Sequence, residues 1–259
     1  MPPTALPTAL LALLISGLIV LSAGPGQAAT VATSPATSPD TSIATSTATT
    51  TTAARSTAIT AAQRRLNGLG CGAGPVDGRV GLRTRTALVR FQSANHLRRS
   101  GSLTAATRHR LNGPAPVRCD RRPVVRSGTG RRAVISQREN YLWLVSATGR
   151  VLAQGGMVDN PAVLRPGTYR SGSVCGRAAR IRNNSDASGR LRLHNFVRFA
   201  PCGIGFHQIP QYRSTGAQIH PDYLLGTDYR ASHGCIRVSG SMSAKIWRFV
   251  VPGTKVVVR

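Results

Sequence analysis

The sequence predicts two folded domains, a small three-helix domain followed by a mainly β domain with one or two helices. Residues 59–114 place apolar side chains at helical spacing between glycine-rich turns. Residues 131–259 change to short alternating runs separated by turn residues, which is typical of strands. The Pro- and Arg-containing residues 115–130 between them indicate a linker. A β-sandwich or compact barrel is the economical architecture for the second domain.

The charge of the chain is strongly positive. The 259 residues include 34 Lys and Arg but only 8 Asp and Glu, for a formal net charge of +26. Such a charge favours polyanions as partners, among them nucleic acid, anionic lipid and anionic wall polymers. Glu139 is the single glutamate and the aspartates are scattered, which makes a two-carboxylate glycosidase a poor hypothesis.

Residues 1–28 predict an exported protein. An apolar run is followed by the small residues of "GPGQAAT", which is the layout of a secretory signal peptide. No Lys or Arg precedes the run, so an uncleaved anchor remains an alternative. Residues 29–58 contain almost only Ser, Thr, Ala and Pro and are predicted to be a disordered linker. We therefore expect a secreted protein at the cell wall or cell surface, without nucleic acid as its partner.

The small domain is predicted from three apolar stripes. Each helix has its own stripe, and Gly68, Gly70 and the segment 74–78 supply stops and a turn. The stripes are Ile59, Ala62, Leu66 and Leu69 in the first helix, Thr84, Ala87, Leu88 and Phe91 in the second, and Leu103, Thr107 and Leu111 in the third.

The β domain is predicted from turn residues and short apolar runs. The one clear helix in it covers 241–250, where Ser239 or Ser241 could serve as the N-cap and Pro252 ends the pattern. Hairpin turns are expected at 138–140 and 147–149, and further strands within 165–173, 195–201, 203–210 and 254–259.

Five cysteines leave an odd thiol in an exported chain. Cys71 ends the first helix and Cys119 follows the third, so a bridge between them would tie the ends of the small domain together. Cys175 and Cys202 lie beside consecutive strands of the second domain and form the other expected bridge. Cys235 is then left unpaired. A different pairing, or no bridges, remains an alternative.

An unpaired thiol becomes a nucleophile when a neighbouring group accepts its proton. His207 ends an apolar strand that could run beside the strand of Cys235. His233 would share a face with Cys235 in an extended segment, but the short spacing is awkward for direct proton transfer. Gly203 and Gly205 would let the two backbones approach closely.

Residues 59–113 closely resemble the peptidoglycan-binding module found on many wall enzymes. Cys71 occupies a position where that family often has an aromatic residue, and a structural bundle without ligand is the alternative. The matching residues are Gln63, Leu66, Leu69, Gly70, Asp77, Gly78, Gly81, Thr84, Ala87, Phe91, Gln92 and Leu103.

The segment "GIGFHQIP…LGTDYRASHGCIRV" resembles the catalytic signature of YkuD-type L,D-transpeptidases. The resemblance implies a YkuD-like β-sandwich with a cysteine nucleophile that acts on the peptide stem of peptidoglycan. Twenty-four residues separate His207 from Ser232, more than in the commonest pattern. The insertion 211–223 would absorb this length as a lid over the site, and its His220 is interpreted as a loop residue.

The resemblance also implies a role for each site residue and a reaction. Cys235 attacks the third stem residue, D-alanine is released, and the thioester passes to an amine of a neighbouring stem to form a cross-link between third residues. The implied roles are Cys235 as nucleophile, His207 as general base, the Gln208 carbonyl as its orienter, His233, Gly234 and the Cys235 amide as oxyanion pocket, and Ser232, Arg237 and Phe206 as substrate-binding residues.

The expected partners are peptidoglycan and anionic cell-wall polymers, and the expected state is a monomer without cofactor or metal. L,D-carboxypeptidase activity and an inactive wall-binding protein are alternatives to transpeptidation. A zinc peptidase using His207, His233 and Cys235 is a weaker one, because the sequence has no His-Glu-x-x-His run and no carboxylate base at metal-site spacing.

Overall fold

A computed structural model of the protein describes residues 42–229 and 232–259. The predicted signal peptide 1–28, and residues 29–41 of the predicted linker, lie outside the described residues. Residues 44–259 form one compact unit. Within the described ranges no helix combines the length and the apolar character that crossing a membrane requires.

The N-terminal part of this unit is the predicted three-helix domain. Helix α1 covers Ser42–Gly68, α2 Leu82–Ala94 and α3 Ala105–Asn112. The side chain of Thr104 caps α3 by accepting a hydrogen bond from the backbone N–H of Thr107. The predicted stripes meet in one core, in which Leu66, Leu88, Phe91 and Leu111 are almost fully buried.

The linker prediction is wrong for residues 42–58, which extend helix α1 instead. The packed turns from Ile59 onward provide a nucleus, and adding further turns to an existing helix costs far less than starting one. Alanine in this stretch also favours the helix. Residues 52–57 are exposed, so the extension contributes little to the core.

The C-terminal part is a sandwich of two sheets, which confirms the predicted mainly β fold. The strands are β1 Arg132–Ser136, β2 Tyr141–Val145, β3 Val151–Gly156, β4 Gly167–Arg170, β5 Arg180–Ser185, β6 Leu191–Ala200, β7 Ile204–Gln208, β8 Gln211–Tyr212, β9 Ile236–Val238 and β10 Lys255–Val258. The first sheet has the order β3-β2-β1-β10-β4, and the second has the order β5-β6-β7-β9 with β8 paired to β6.

The inner faces of the two sheets and helix α4, Gly240–Phe249, enclose the main core. Ser239 is the N-cap of α4 and accepts the backbone N–H of Met242 at 3.2 Å. Ile135 and Leu142 come from the first sheet, and Val197, Phe206 and Ile236 come from the second. This packing holds the second sheet rigid and leaves its opposite face available for chemistry.

Residues 115–130 have no regular secondary structure, as expected of a linker, but they pack tightly. Arg122 is 4% exposed, and its guanidinium lies 4.2 Å from the centre of the Tyr141 ring. Its Nη1 donates to Ser93 of α2 and to the Glu139 carbonyl, while its own carbonyl accepts the indole N–H of Trp143. The segment therefore joins the two domains through buried contacts.

The structure contains the Cys71–Cys119 disulfide, which closes the small domain across 48 residues of chain. The predicted Cys175–Cys202 bridge is wrong, because Cys175 has a free, exposed thiol. Cys175 lies in the turn between β4 and β5 with a φ of 54°. That left-handed turn exposes its side chain to solvent rather than turning it toward a partner.

We expect the double variant Cys71→Ser/Cys119→Ser to lose about 4 kcal/mol of unfolding free energy, because it restores the loop entropy of the unfolded chain. Chemical denaturation followed by circular dichroism measures this. Cys175→Ser is the matched control and should unfold like the wild type. An equal loss in both variants would show that the bridge has no special role.

Candidate active site

The register of three neighbouring strands brings the predicted residues together on the outer face of the second sheet. In the antiparallel pair β6–β7, Arg198 lies opposite Gly205. In the parallel pair β7–β9, His207 lies opposite Arg237. One step further along that ladder places Cys235 beside Gly205, so Cys235 and His207 are diagonal neighbours on the same face. Side chains alternate along a strand, which directs Phe206 and Ile236 into the core.

The thiol of Cys235 is largely enclosed. Its Sγ lies 3.6 Å from the carbonyl oxygen of Gly203. Burial raises the pKa of Cys235, while a hydrogen bond from the backbone of Gly205 and the positive charges of Arg237 and Arg198 oppose that rise. The resting group is therefore a neutral thiol surrounded by groups that favour its anion.

His207 is buried and held in one orientation. Its Nδ1 lies 2.5 Å from the carbonyl oxygen of Gln208, and its ring stacks on Phe196 at 6.0 Å between centroids. This is the contact that the predicted role of Gln208 requires: Nδ1–H donates, so Nε2 keeps its lone pair. Burial, with smaller effects from Arg237 and His220, lowers the pKa of His207 to about 4, so the imidazole is neutral at pH 7.

The loop before Cys235 is fixed by its own hydrogen bonds. The Ser232 hydroxyl donates to the Cys235 carbonyl at 2.6 Å and accepts the Gly234 N–H at 3.2 Å. Asn160 anchors the loop from outside through the Ser232 carbonyl. His233 is exposed between them. Ser232 is thus 3% exposed and supports the loop, which differs from the direct substrate contact that the resemblance implied.

A cavity of about 410 Å³ opens over this face. Cys235, His207, Ser232, His233 and Arg237 all line it, as does Arg198, which sequence reasoning missed. Arg198 is 2% exposed and donates from Nε to the carbonyl of Ala178. Arg198 is recognised as a site residue only from the strand register, which places it in one row with Cys235 across the sheet.

Two sequence models match the chain. Residues 55–111 match PG_binding_1, a peptidoglycan binding domain, and residues 120–258 match YkuD, the L,D-transpeptidase catalytic domain. The second match covers more than half of the chain. The chain belongs to the YkuD L,D-transpeptidase family. The two domains and the disulfide indicate that this L,D-transpeptidase is extracytoplasmic.

Several solved structures are similar to this transpeptidase. An L,D-transpeptidase from Xylanimonas cellulosilytica is 22% identical, with 78% of this chain and 92% of that chain covered and a TM-score of 0.47. An L,D-transpeptidase from Stackebrandtia nassauensis is 18% identical, with coverage of 77% and 89% and a TM-score of 0.41. A fused Zn-dependent amidase/peptidase/peptidoglycan-binding protein from Clostridium acetobutylicum is 16% identical, with coverage of 78% and 94% and a TM-score of 0.38. A comparison with curated proteins finds no match.

Two expectations about the transpeptidase site need correction. Phe206 is fully buried in the sandwich core, 4.6 Å from the ring of Phe199, so it cannot contact substrate as predicted. The insertion 211–223 does not line the cavity. Its β8 pairs with β6 and the following 3₁₀ turn binds the small domain, where Arg90 donates to the Tyr223 carbonyl.

His220 is a buried loop residue rather than part of a lid. It is 4% exposed and packs edge-on against Tyr229 at 5.0 Å. Burial lowers the pKa of His220.

In the described ranges no group of three or more His, Cys, Asp or Glu side chains is placed to hold a metal ion.

The buried imidazole of His207 makes the folded transpeptidase sensitive to acid. Its folded pKa of about 4 lies below the ordinary histidine pKa of 6.5, so the unfolded chain binds the extra proton first as the pH falls. Unfolding free energy should fall by about 3 kcal/mol between pH 6.5 and 4 from this group. The variant His207→Gln should reduce this decrease in unfolding free energy, which denaturation at both pH values measures. His220 accounts for part of the decrease that remains in the variant. The exposed variant His233→Gln is the control, and a reduction equal to that of His207→Gln would contradict the assignment.

Gly234 is required by its backbone conformation. Its φ is +121°, and a Cβ there would come within 2.8 Å of Val163 Cγ1. Gly234→Ala should slow acylation of the transpeptidase by a stem tetrapeptide about 100-fold, because the amides beside Cys235 shift. Rapid-quench mass spectrometry measures this rate. Adding Val163→Ala removes the clash but leaves the backbone strain at a φ of +121°, so the double variant should recover only part of the rate. Full activity in Gly234→Ala alone would contradict the argument.

Proposed function

We propose that this chain catalyses acyl transfer on peptidoglycan stem peptides through a thioester at Cys235. The observation that carries the proposal is the pairing of β7 with β9, which puts Cys235 and His207 on one face in one cavity. The neutral imidazole with Nδ1 tied to Gln208 has the correct free nitrogen for a general base.

In the first half-reaction Sγ of Cys235 attacks the carbonyl carbon that joins the third stem residue to the terminal D-alanine. A C–S bond forms as the thiol proton passes to Nε2 of His207. The amide of Cys235, with His233 at the rim, stabilises the oxyanion, and Gly234, whose N–H donates to Ser232, holds the turn that aims this amide. The C–N bond then breaks, His207 returns the proton to the leaving amine, and D-alanine departs.

In the second half-reaction an amine of a neighbouring stem attacks the thioester. His207 takes a proton from that amine, the new C–N bond forms between third residues, the C–S bond breaks and the thiol is restored. Water in place of the amine gives the carboxypeptidase reaction by the same path. Arg237, 7% exposed with Nη1 unpartnered, lines the cavity and suits a substrate carboxylate.

The small domain supports action on the intact wall. A peptidoglycan binding domain holds polymer near the site, and the net charge of +26 adds attraction to anionic wall polymers. These features support action at the cell wall, and the secreted, monomeric state stays a prediction from the sequence.

The test is intact-mass spectrometry of the protein with a disaccharide tetrapeptide. The wild type should gain the mass of the substrate minus D-alanine, and Cys235→Ala should gain nothing. Cys175→Ala is the matched thiol control and should be acylated normally. Adding a second stem with a free amine should give a cross-linked product, whereas release of a tripeptide alone would identify a carboxypeptidase. An unmodified wild type would contradict the enzyme proposal.

A further inference from the structure

Two buried arginines flank the sulfur of Cys235 without a carboxylate of their own. Arg198 is 2% exposed and Arg237 is 7% exposed. Among the described residues, the ion pairs involve other arginines, and neither of these two has an acidic partner. Isolated buried charges are costly, so a fold that keeps them has an anion for them to face.

The geometry gives Arg198 a direct route to that anion. Arg198, Gly205 and Cys235 occupy one row across β6, β7 and the start of β9, on the same face of the sheet. The middle member of the row has no side chain, and the row spans two strand spacings, about 10 Å. The tip of the Phe196 ring fills the space over Gly205, where an added Cβ would lie 2.9 Å from Cζ of Phe196. The Arg198 guanidinium lies 5.0 Å from the centre of that ring, so its side chain passes beside the ring on the Gly203 side of the row.

The position of the Arg198 guanidinium agrees with this route. A Cβ placed on Gly203 would lie 3.5 Å from Nη1 of Arg198, and the carbonyl of the same Gly203 lies 3.6 Å from Sγ of Cys235. The bond from Nε to the Ala178 carbonyl holds the other side of the guanidinium. The charge is thus fixed near the sulfur by groups that take no part in the reaction.

We propose that Arg198 is a positioning residue that stabilises the Cys235 thiolate from the Gly203 side of the site. This rests on the proposed function only in taking Cys235 as the nucleophile. His207 accepts the proton, and the fixed guanidinium of Arg198 balances the negative charge left on sulfur. Arg237, opposite His207, adds to the same field.

The experiment measures the thiol pKa of Cys235 in the full chain. Alkylation by iodoacetamide is followed over pH on the tryptic peptide 231–237, with the Cys175 peptide as internal reference. Arg198→Gln keeps an N–H donor but removes the charge, and should raise the thiol pKa by about one pH unit. Arg198→Lys keeps the charge and should stay close to the wild type. Arg177→Gln, an exposed arginine at the rim of the same cavity, should have little effect.

The outcomes separate the proposals. An unchanged thiol pKa in a folded Arg198→Gln variant overturns the role of Arg198, and so does a Lys variant that behaves like the Gln variant. If Arg198→Gln fails to fold, Arg198→Met replaces it, and the Lys variant alone can still contradict the proposal by showing a raised pKa. A raised pKa in a protein that forms no thioester with stem peptide supports Arg198 and contradicts only the proposed function.

Discussion

The parallel pairing of β7 with β9 is the constraint on which the site depends. It sets His207 opposite Arg237 and Cys235 beside Gly205. A slip of one residue in this register would turn His207 and Cys235 to opposite faces of the sheet and send one of them into the core. The apolar packing of Phe206 and Ile236 on the inner face opposes such a slip, because one of the two would have to leave the core. The packing of the sandwich and the geometry of the candidate site therefore depend on the same ladder.

The resting chemistry follows from the burial of this ladder. Burial raises the pKa of the Cys235 thiol and lowers that of His207, so transfer of the proton between them is unfavourable in the free enzyme. The site keeps a neutral pair that resists stray oxidation and alkylation. In the proposed reaction, charge separates when a carbonyl carbon is in place to receive the sulfur electrons. In our proposal, the two buried arginines lower the free energy of the thiolate at that moment.

Much of the fold could be predicted because local patterns were strong. Helical stripes marked the small domain, and Cys235 and His207 were predicted from their residue types and context. Arg198 could not be found this way, since its relation to Cys235 comes from pairing across three strands. Phe206 was wrongly predicted to bind substrate because it is next to His207 in sequence, and adjacent residues of a strand point to opposite faces of the sheet. The expected Cys175 bridge failed because spacing along the chain does not determine the direction of a side chain in a left-handed turn.

The junction between the domains has a consequence for how far the enzyme can reach. Ser93 and Arg122 bind the Glu139 carbonyl, Arg90 binds that of Tyr223, and Arg99 forms an ion pair with Asp228 at 3.0 Å. These contacts join the small domain and the sandwich in one compact unit. A glycan held by the small domain would then present its stems to Cys235 at a distance that the packing of the two domains sets. The spacing of stems in the wall, rather than the length of a flexible linker between the two domains, would decide which stems are joined.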